Sequence, residues 1–162
     1  MLDYEKHFNQ CRDNNKLDLE LSFNMPEGYK TANGTFDIES KTVFINAELL
    51  NEMPDYEKAF YLFHELRHSS QYLCPELFSG AGSRSLQYGI MYDGTCFKII
   101  NGKYYECKLE GGEEYFTNIY LGQPYEADAN TYAYEQVKKI VGDSDDLRKL
   151  YEFWMPSQPV PD

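Results

Sequence analysis

Histidine occurs three times in this 162-residue chain, and two of the three stand four positions apart in Phe63-His64-Glu65-Leu66-Arg67-His68. Residues i and i+4 share a helix face, so both imidazoles can point at one metal ion about 2 Å from each ring nitrogen. Glu65 is turned roughly 100° from His64. Its carboxylate can then reach an attacking water without filling a coordination position, as a general base must. Chance occurrence of this HExxH spacing in such a histidine-poor chain is on the order of one per cent or less. The chemistry it points to is zinc-assisted hydrolysis.

A catalytic zinc takes three protein ligands and keeps one position open. No histidine follows His68, and His7 lies far upstream in a segment that reads as an exposed helix. The third ligand is therefore expected to be a carboxylate on a later helix. Glu126 in Pro124-Tyr125-Glu126-Ala127-Asp128-Ala129-Asn130 is the choice. Asn130 shares its face at i+4, where its side-chain oxygen can accept from the outer nitrogen of a ligand histidine. Asp128 is the rival, projecting on a different side of the helix. Ala127, Ala129 and Ala133 are small enough to let the two helices approach closely.

These residues need elements to hold them. Tyr4, Phe8 and Cys11 recur at helical spacing, predicting a helix from about Tyr4 to Asn15. Leu17, Leu19, Leu21 and Phe23 alternate with polar residues and read as a strand. Gly34 to Ile38 and Thr42 to Ile45 flank a polar turn, a hairpin pattern. A long helix carrying HExxH should start at Met53-Pro54-Asp55, with Pro54 at its first position. It should run to Tyr72 or Leu73 and stop at Cys74-Pro75. Ser79 to Ser85 reads as a loop. Leu86 to Leu121 is aromatic and β-branched, cut by Asp93-Gly94, Asn101-Gly102 and Gly111-Gly112, and reads as an antiparallel meander. A two-residue turn at Asn101-Gly102 sets Ile100 opposite Lys103 and Cys96 opposite Cys107. A second helix spans Pro124 to about Val141 and closes on Gly142. Asp143-Ser144 can cap a last helix to Trp154. The Pro-rich residues 156–162 read as a tail on a single domain, 1–155.

The formal net charge of −12 argues against direct nucleic-acid binding, which needs clustered Lys and Arg. An apolar fraction of 42% supports a folded core rather than disorder. Neither a signal-peptide pattern nor a membrane-spanning apolar run is read in the sequence, so the expectation is a cytoplasmic chain without membrane contact. Four scattered cysteines, with no CxxC pair, read as reduced thiols.

HExxH followed by Glu126-Ala127-Asp128-Ala129-Asn130-Thr131-Tyr132-Ala133 resembles the ImmA/IrrE-like zinc metallopeptidases. The upstream hairpin and Ile45-Asn46-Ala47-Glu48-Leu49-Leu50 are similar to that family more loosely. The resemblance implies an α+β, minimal gluzincin-type (zincin-like) fold, with a small antiparallel or mixed sheet over two zinc-carrying helices. The long stretch before Glu126 makes 79–123 read as an insertion holding the meander. The resemblance also implies limited proteolysis of a protein partner, such as a helix-turn-helix repressor.

On this reading one zinc ion per chain polarises the scissile carbonyl, and Glu65 moves the proton to the leaving amine. Tyr120, Tyr125 and Arg67 are the available oxyanion donors, each with a structural role as the plainer account. Substrate is expected to add as a strand along a sheet edge, taken to be Thr42–Ile45. The competing reading is a non-catalytic, zinc-stabilised protein-binding module.

Overall fold

Asp3 accepts a hydrogen bond from the Lys6 amide at 3.0 Å and so caps α1, Tyr4–Asn14. The computed structural model describes residues 2–74, 88–90, 95–100, 103–108 and 124–154. In chain order α1 is followed by β1 (Glu20–Ser22), β2 (Gly34–Asp37), β3 (Thr42–Ile45) and α2 (Asp55–Leu73). Then come β4 (Tyr88–Ile90), β5 (Thr95–Ile100), β6 (Lys103–Lys108), α3 (Pro124–Ile140) and α4 (Asp145–Phe153). The class is α+β.

The first sheet is mixed, ordered β1-β3-β2, with β1 parallel and β2 antiparallel to β3. This corrects the expected substrate edge: Thr42–Ile45 is the central strand, hydrogen-bonded on both sides. A strand parallel to β3 must reach it by a long connection, and the chain from β1 through β2 supplies one. β1 is shorter than the leucine alternation predicts. Leu17 and Leu19 are buried as expected, yet only Glu20 to Ser22 find ladder partners on the four-residue β3. Phe23, the last apolar position of that pattern, is exposed.

Asn46 ties the chain before β2 to the end of β3. Its side-chain amide donates to the carbonyls of Lys30 (2.9 Å) and Ala32 (3.0 Å), and its side-chain oxygen accepts from the Leu49 amide at 3.2 Å. Its backbone amide donates to the Asn33 carbonyl at 3.0 Å. A buried amide satisfied in this way fixes where Gly34 enters the sheet.

Pro54 stands at the N-cap of α2, one position earlier than expected, and Asp55 and Glu57 fill the acidic first turn. Ala59, Phe60, Leu62, Phe63 and Leu66 bury one side of α2. Ala129, Ala133 and Val137 of α3 are fully buried, and small side chains there allow close approach to α2. Phe8, Val43, Ile45, Leu50 and Leu147 complete the same core from α1, the sheet, the following turn and α4. Gly142, at φ +101°, ends α3 in the left-handed region that favours glycine. Ser144 caps α4 by accepting from the Leu147 amide at 3.1 Å.

The second sheet is antiparallel, ordered β4-β5-β6, with Ile100 opposite Lys103 and Cys96 opposite Cys107 as the turn predicts. The expectations for Pro75, the 79–85 loop, Asp93-Gly94, Asn101-Gly102 themselves, Gly111-Gly112 and the 156–162 tail lie outside the described residues. Among the described residues no helix is long and apolar enough to cross a membrane.

Replacing Asn46 with Ala leaves two carbonyls and one amide without their partner. Urea denaturation should show a loss of about 2–4 kcal/mol. A loss below about 0.5 kcal/mol, the range of neutral surface changes, would refute the anchoring role of Asn46.

Candidate metal centre

Two turns in the middle of α2 and the first turn of α3 meet at the site. His64 Nε2 lies 3.0 Å from His68 Nε2, as helical i, i+4 spacing allows. Glu126 closes the triangle, with Oε2 3.2 Å from His64 Nε2 and Oε1 3.2 Å from His68 Nε2. His68 and Glu126 are buried, while His64 keeps some exposure. The three side chains form a group that could hold a metal ion.

The donor set suits a cation. Ligand bonds of about 2.0–2.2 Å in a tetrahedral shell set neighbouring donor atoms roughly 3.3–3.5 Å apart, close to the separations seen here. Two buried imidazole lone pairs and a buried carboxylate facing one another also repel unless protons or a metal lie between them. Among the described residues three donors converge, one fewer than a tetrahedral shell holds. Metal and protons therefore compete for the same place.

Without a metal, that competition shows in the acid–base properties of the trio. Burial alone would lower His68, but the Glu126 charge and its hydrogen bond outweigh burial and hold His68 at about 9. Burial alone would raise Glu126, yet His68 and His64 hold it well below the usual carboxylate range. Glu65 behaves oppositely. Burial raises it above the usual range, only partly offset by the histidine charges, and Glu126 raises it further.

Glu65 stands outside the donor trio and makes no hydrogen bond among the described residues. Its stem lies against Gly34 at the start of β2. A Cβ on Gly34 would sit 3.2 Å from Glu65 Cγ and 2.8 Å from the Phe44 carbonyl oxygen. Glycine is required here for close approach rather than for an unusual backbone angle.

Asp128, the rival ligand, points away from the trio as its position two residues after Glu126 predicts. It pairs with Arg67 in a two-pronged contact, Nε to Oδ2 at 2.8 Å and Nη2 to Oδ1 at 3.2 Å. The Arg67 guanidinium also lies 4.8 Å from the Tyr132 ring centroid. Arg67 therefore has the structural role that was its plainer account. Tyr120 and the side chain of Tyr125 lie outside the described residues.

Asn130 does not take its expected place. Its side-chain nitrogen donates to the Trp154 carbonyl at 3.1 Å, one turn further along α3, where the end of α4 packs. The outer nitrogen of His68 instead meets Gln71 Oε1 at 2.7 Å, and Gln71 Nε2 donates to Asp128 Oδ2 at 2.8 Å. His64 Nδ1 is buried without a hydrogen-bond partner among the described residues. Gln71, at i+3 from His68, was within reach of helix spacing, whereas its link to Asp128 was not.

Tyr72 is a second residue that sequence reasoning missed. It follows His68 by four positions, and its ring packs 6.1 Å from that of Phe36 in β2. Burial raises its phenol, and both Glu126 and Glu65 raise it further, so its hydroxyl lies in their field. The i, i+4, i+8 series of His64, His68 and Tyr72 was the available signal.

Compared with protein-family models, curated proteins and solved structures, the chain matches none.

The acid–base shifts predict a pH dependence for chelator-treated protein. His68 is raised, so its contribution is complete below its ordinary 6.5 and lost as pH climbs through about 9. Glu126 is lowered, so its contribution is present above its ordinary 4.5 and lost as pH falls. Thermal melts should show the chelated protein more stable near pH 6 than near pH 9.5. Excess zinc should raise Tm more at the higher pH, because less proton must be displaced from His68. A chelated protein whose Tm is level or rises over that interval contradicts the pairing.

Proposed function

We propose that the chain is a zinc-dependent metallopeptidase of zincin-like fold, holding one zinc ion through His64, His68 and Glu126, with Glu65 as general base. The observation that carries this reading is the division of labour between two carboxylates around one imidazole pair. Glu126 completes the donor triangle. Glu65, one residue from His64, stays outside it with a raised proton affinity. A purely structural metal site has no use for the second carboxylate and usually fills its fourth position.

A bound zinc ion supplies Lewis acidity toward the scissile carbonyl and the attacking water. Glu65 accepts the proton of that water and returns it to the departing amine. Burial holds Glu65 above the usual carboxylate range and so strengthens it as a base. Tyr72 keeps its hydroxyl proton in the field of both carboxylates and is a candidate oxyanion donor among the described residues.

A peptide substrate fits as an added strand along β2, which borders Glu65 at Gly34 and pairs only with β3 among the described residues. The ImmA/IrrE-like pattern in HExxH and Glu126 to Ala133 extends the reading to limited proteolysis of a protein partner in the cytoplasm. A helix-turn-helix repressor is the substrate class it favours.

Purified wild-type protein should carry about one equivalent of zinc. Glu65→Gln should keep the metal and lower peptide cleavage by about 10²-fold or more. Glu126→Ala should lose the metal. Undiminished cleavage by Glu65→Gln removes Glu65 from the chemistry, and zinc retained in Glu126→Ala removes Glu126 from the ligand set. Cleavage products are sought by comparing the proteomes of cells expressing wild type and Glu65→Gln. A zinc-loaded wild type that cuts nothing yet captures a stable partner supports the binding-module reading instead.

A further inference from the structure

The two ligand histidines are held differently at their outer nitrogens, and the difference follows from donor and acceptor chemistry. Asp128 is gripped by Arg67 through two contacts, and a carboxylate only accepts hydrogen bonds. The Gln71 atom 2.8 Å from Asp128 Oδ2 is therefore its amide nitrogen. The amide oxygen then faces His68 Nδ1 at 2.7 Å. That oxygen also only accepts, so Nδ1 must carry a hydrogen. In the neutral ring the lone pair is left on Nε2, the atom directed at His64 and Glu126.

We infer that Gln71 is the positioning residue that fixes His68 as an Nε2 metal donor, and that Asp128, held by Arg67, fixes the orientation of Gln71. The inference rests on the metal-centre reading above. Asp128 serves the centre from outside it: the carboxylate that competes with Glu126 in the sequence acts through Gln71. The relay also joins the two helices, since Arg67, His68 and Gln71 belong to α2 and Asp128 to α3. Correct packing of α3 on α2 therefore selects the tautomer as well as delivering Glu126.

A hydrogen bond at the outer nitrogen fixes ring rotation and makes the inner nitrogen a better donor. Burial of Gln71 limits competition from water for these bonds. His64, whose Nδ1 finds no partner among the described residues, lacks a hydrogen bond of this kind there. Loss of Gln71 should therefore act through His68, weakening metal binding without dissolving the core.

Two readouts test this. The first is the ring tautomer of His68 in metal-free wild-type protein, followed to alkaline pH until the ring is neutral. Two-bond proton–nitrogen correlations should show the Nδ1–H form. The second is zinc affinity by competition with a chromophoric chelator. Gln71→Met and Asp128→Leu should each weaken binding about 10–100-fold and lose the fixed tautomer. Asp128→Asn keeps an acceptor for Gln71 and should restore both properties to nearly wild type. An Nε2–H ring in wild type overturns the inference, as does wild-type affinity in Gln71→Met. If Gln71→Met fails to fold, the wild-type spectrum and the Asp128→Leu/Asn pair still decide. If wild type binds no zinc, the metal-centre reading fails, and the ring spectrum separately judges the relay.

Discussion

Two imidazole nitrogens 3.0 Å apart, each 3.2 Å from an oxygen of one buried carboxylate, repel one another unless a proton or a metal ion lies among them. The rest of the structure arranges itself around that requirement. Core side chains on α2 hold the HExxH segment against the sheet and α1. Ala129 and Ala133 let α3 come close enough for Glu126 to reach both rings. A bulkier α3 face would hold Glu126 off and leave the histidines as ordinary helix residues. Protons fill the need in the absence of metal, and the opposite shifts of His68 and Glu126 are their signature.

The sheet contributes in a narrower way. Asn46 sets the path of the chain into β2, and Gly34 at the head of β2 leaves room for the Glu65 stem. Glu65 and Glu126 are chemically identical, yet one is held ionised and the other pushed toward its neutral form. The cause is placement. Glu126 lies between two imidazoles, whereas burial dominates at Glu65 and its histidine neighbours offset it only in part. Placement alone thus gives one residue type two opposite proton affinities.

Around the trio, polar side chains are wired rather than merely buried. Arg67, Asp128, Gln71 and His68 form one continuous chain across the helix pair. Asn130 serves a different joint, fastening α3 to the end of α4. Both α3 side chains are polar, but they bond to different elements, one at the centre and one at the periphery. The helix pair is thus locked at two points, with the candidate metal ligands next to the first.

Sequence periodicity determined the helices, their ends to within a residue or two, and the grouping of His64, His68 and Glu65 on adjacent faces of one helix. It also led to Glu126 over Asp128, because histidine scarcity demanded a carboxylate and helix spacing distinguished their faces. Tertiary structure decided everything that depends on what a face meets. Asn130 shares a face with Glu126, yet α4 rather than a histidine lies opposite it. Gln71 is one turn from His68, but its orientation is set by Asp128, distant in sequence. The hairpin was legible in β2 and β3, while β1 made β3 central by pairing with its other side. Local spacing fixes the direction in which a side chain leaves its own element. Only the packing of elements supplies the partner it finds there.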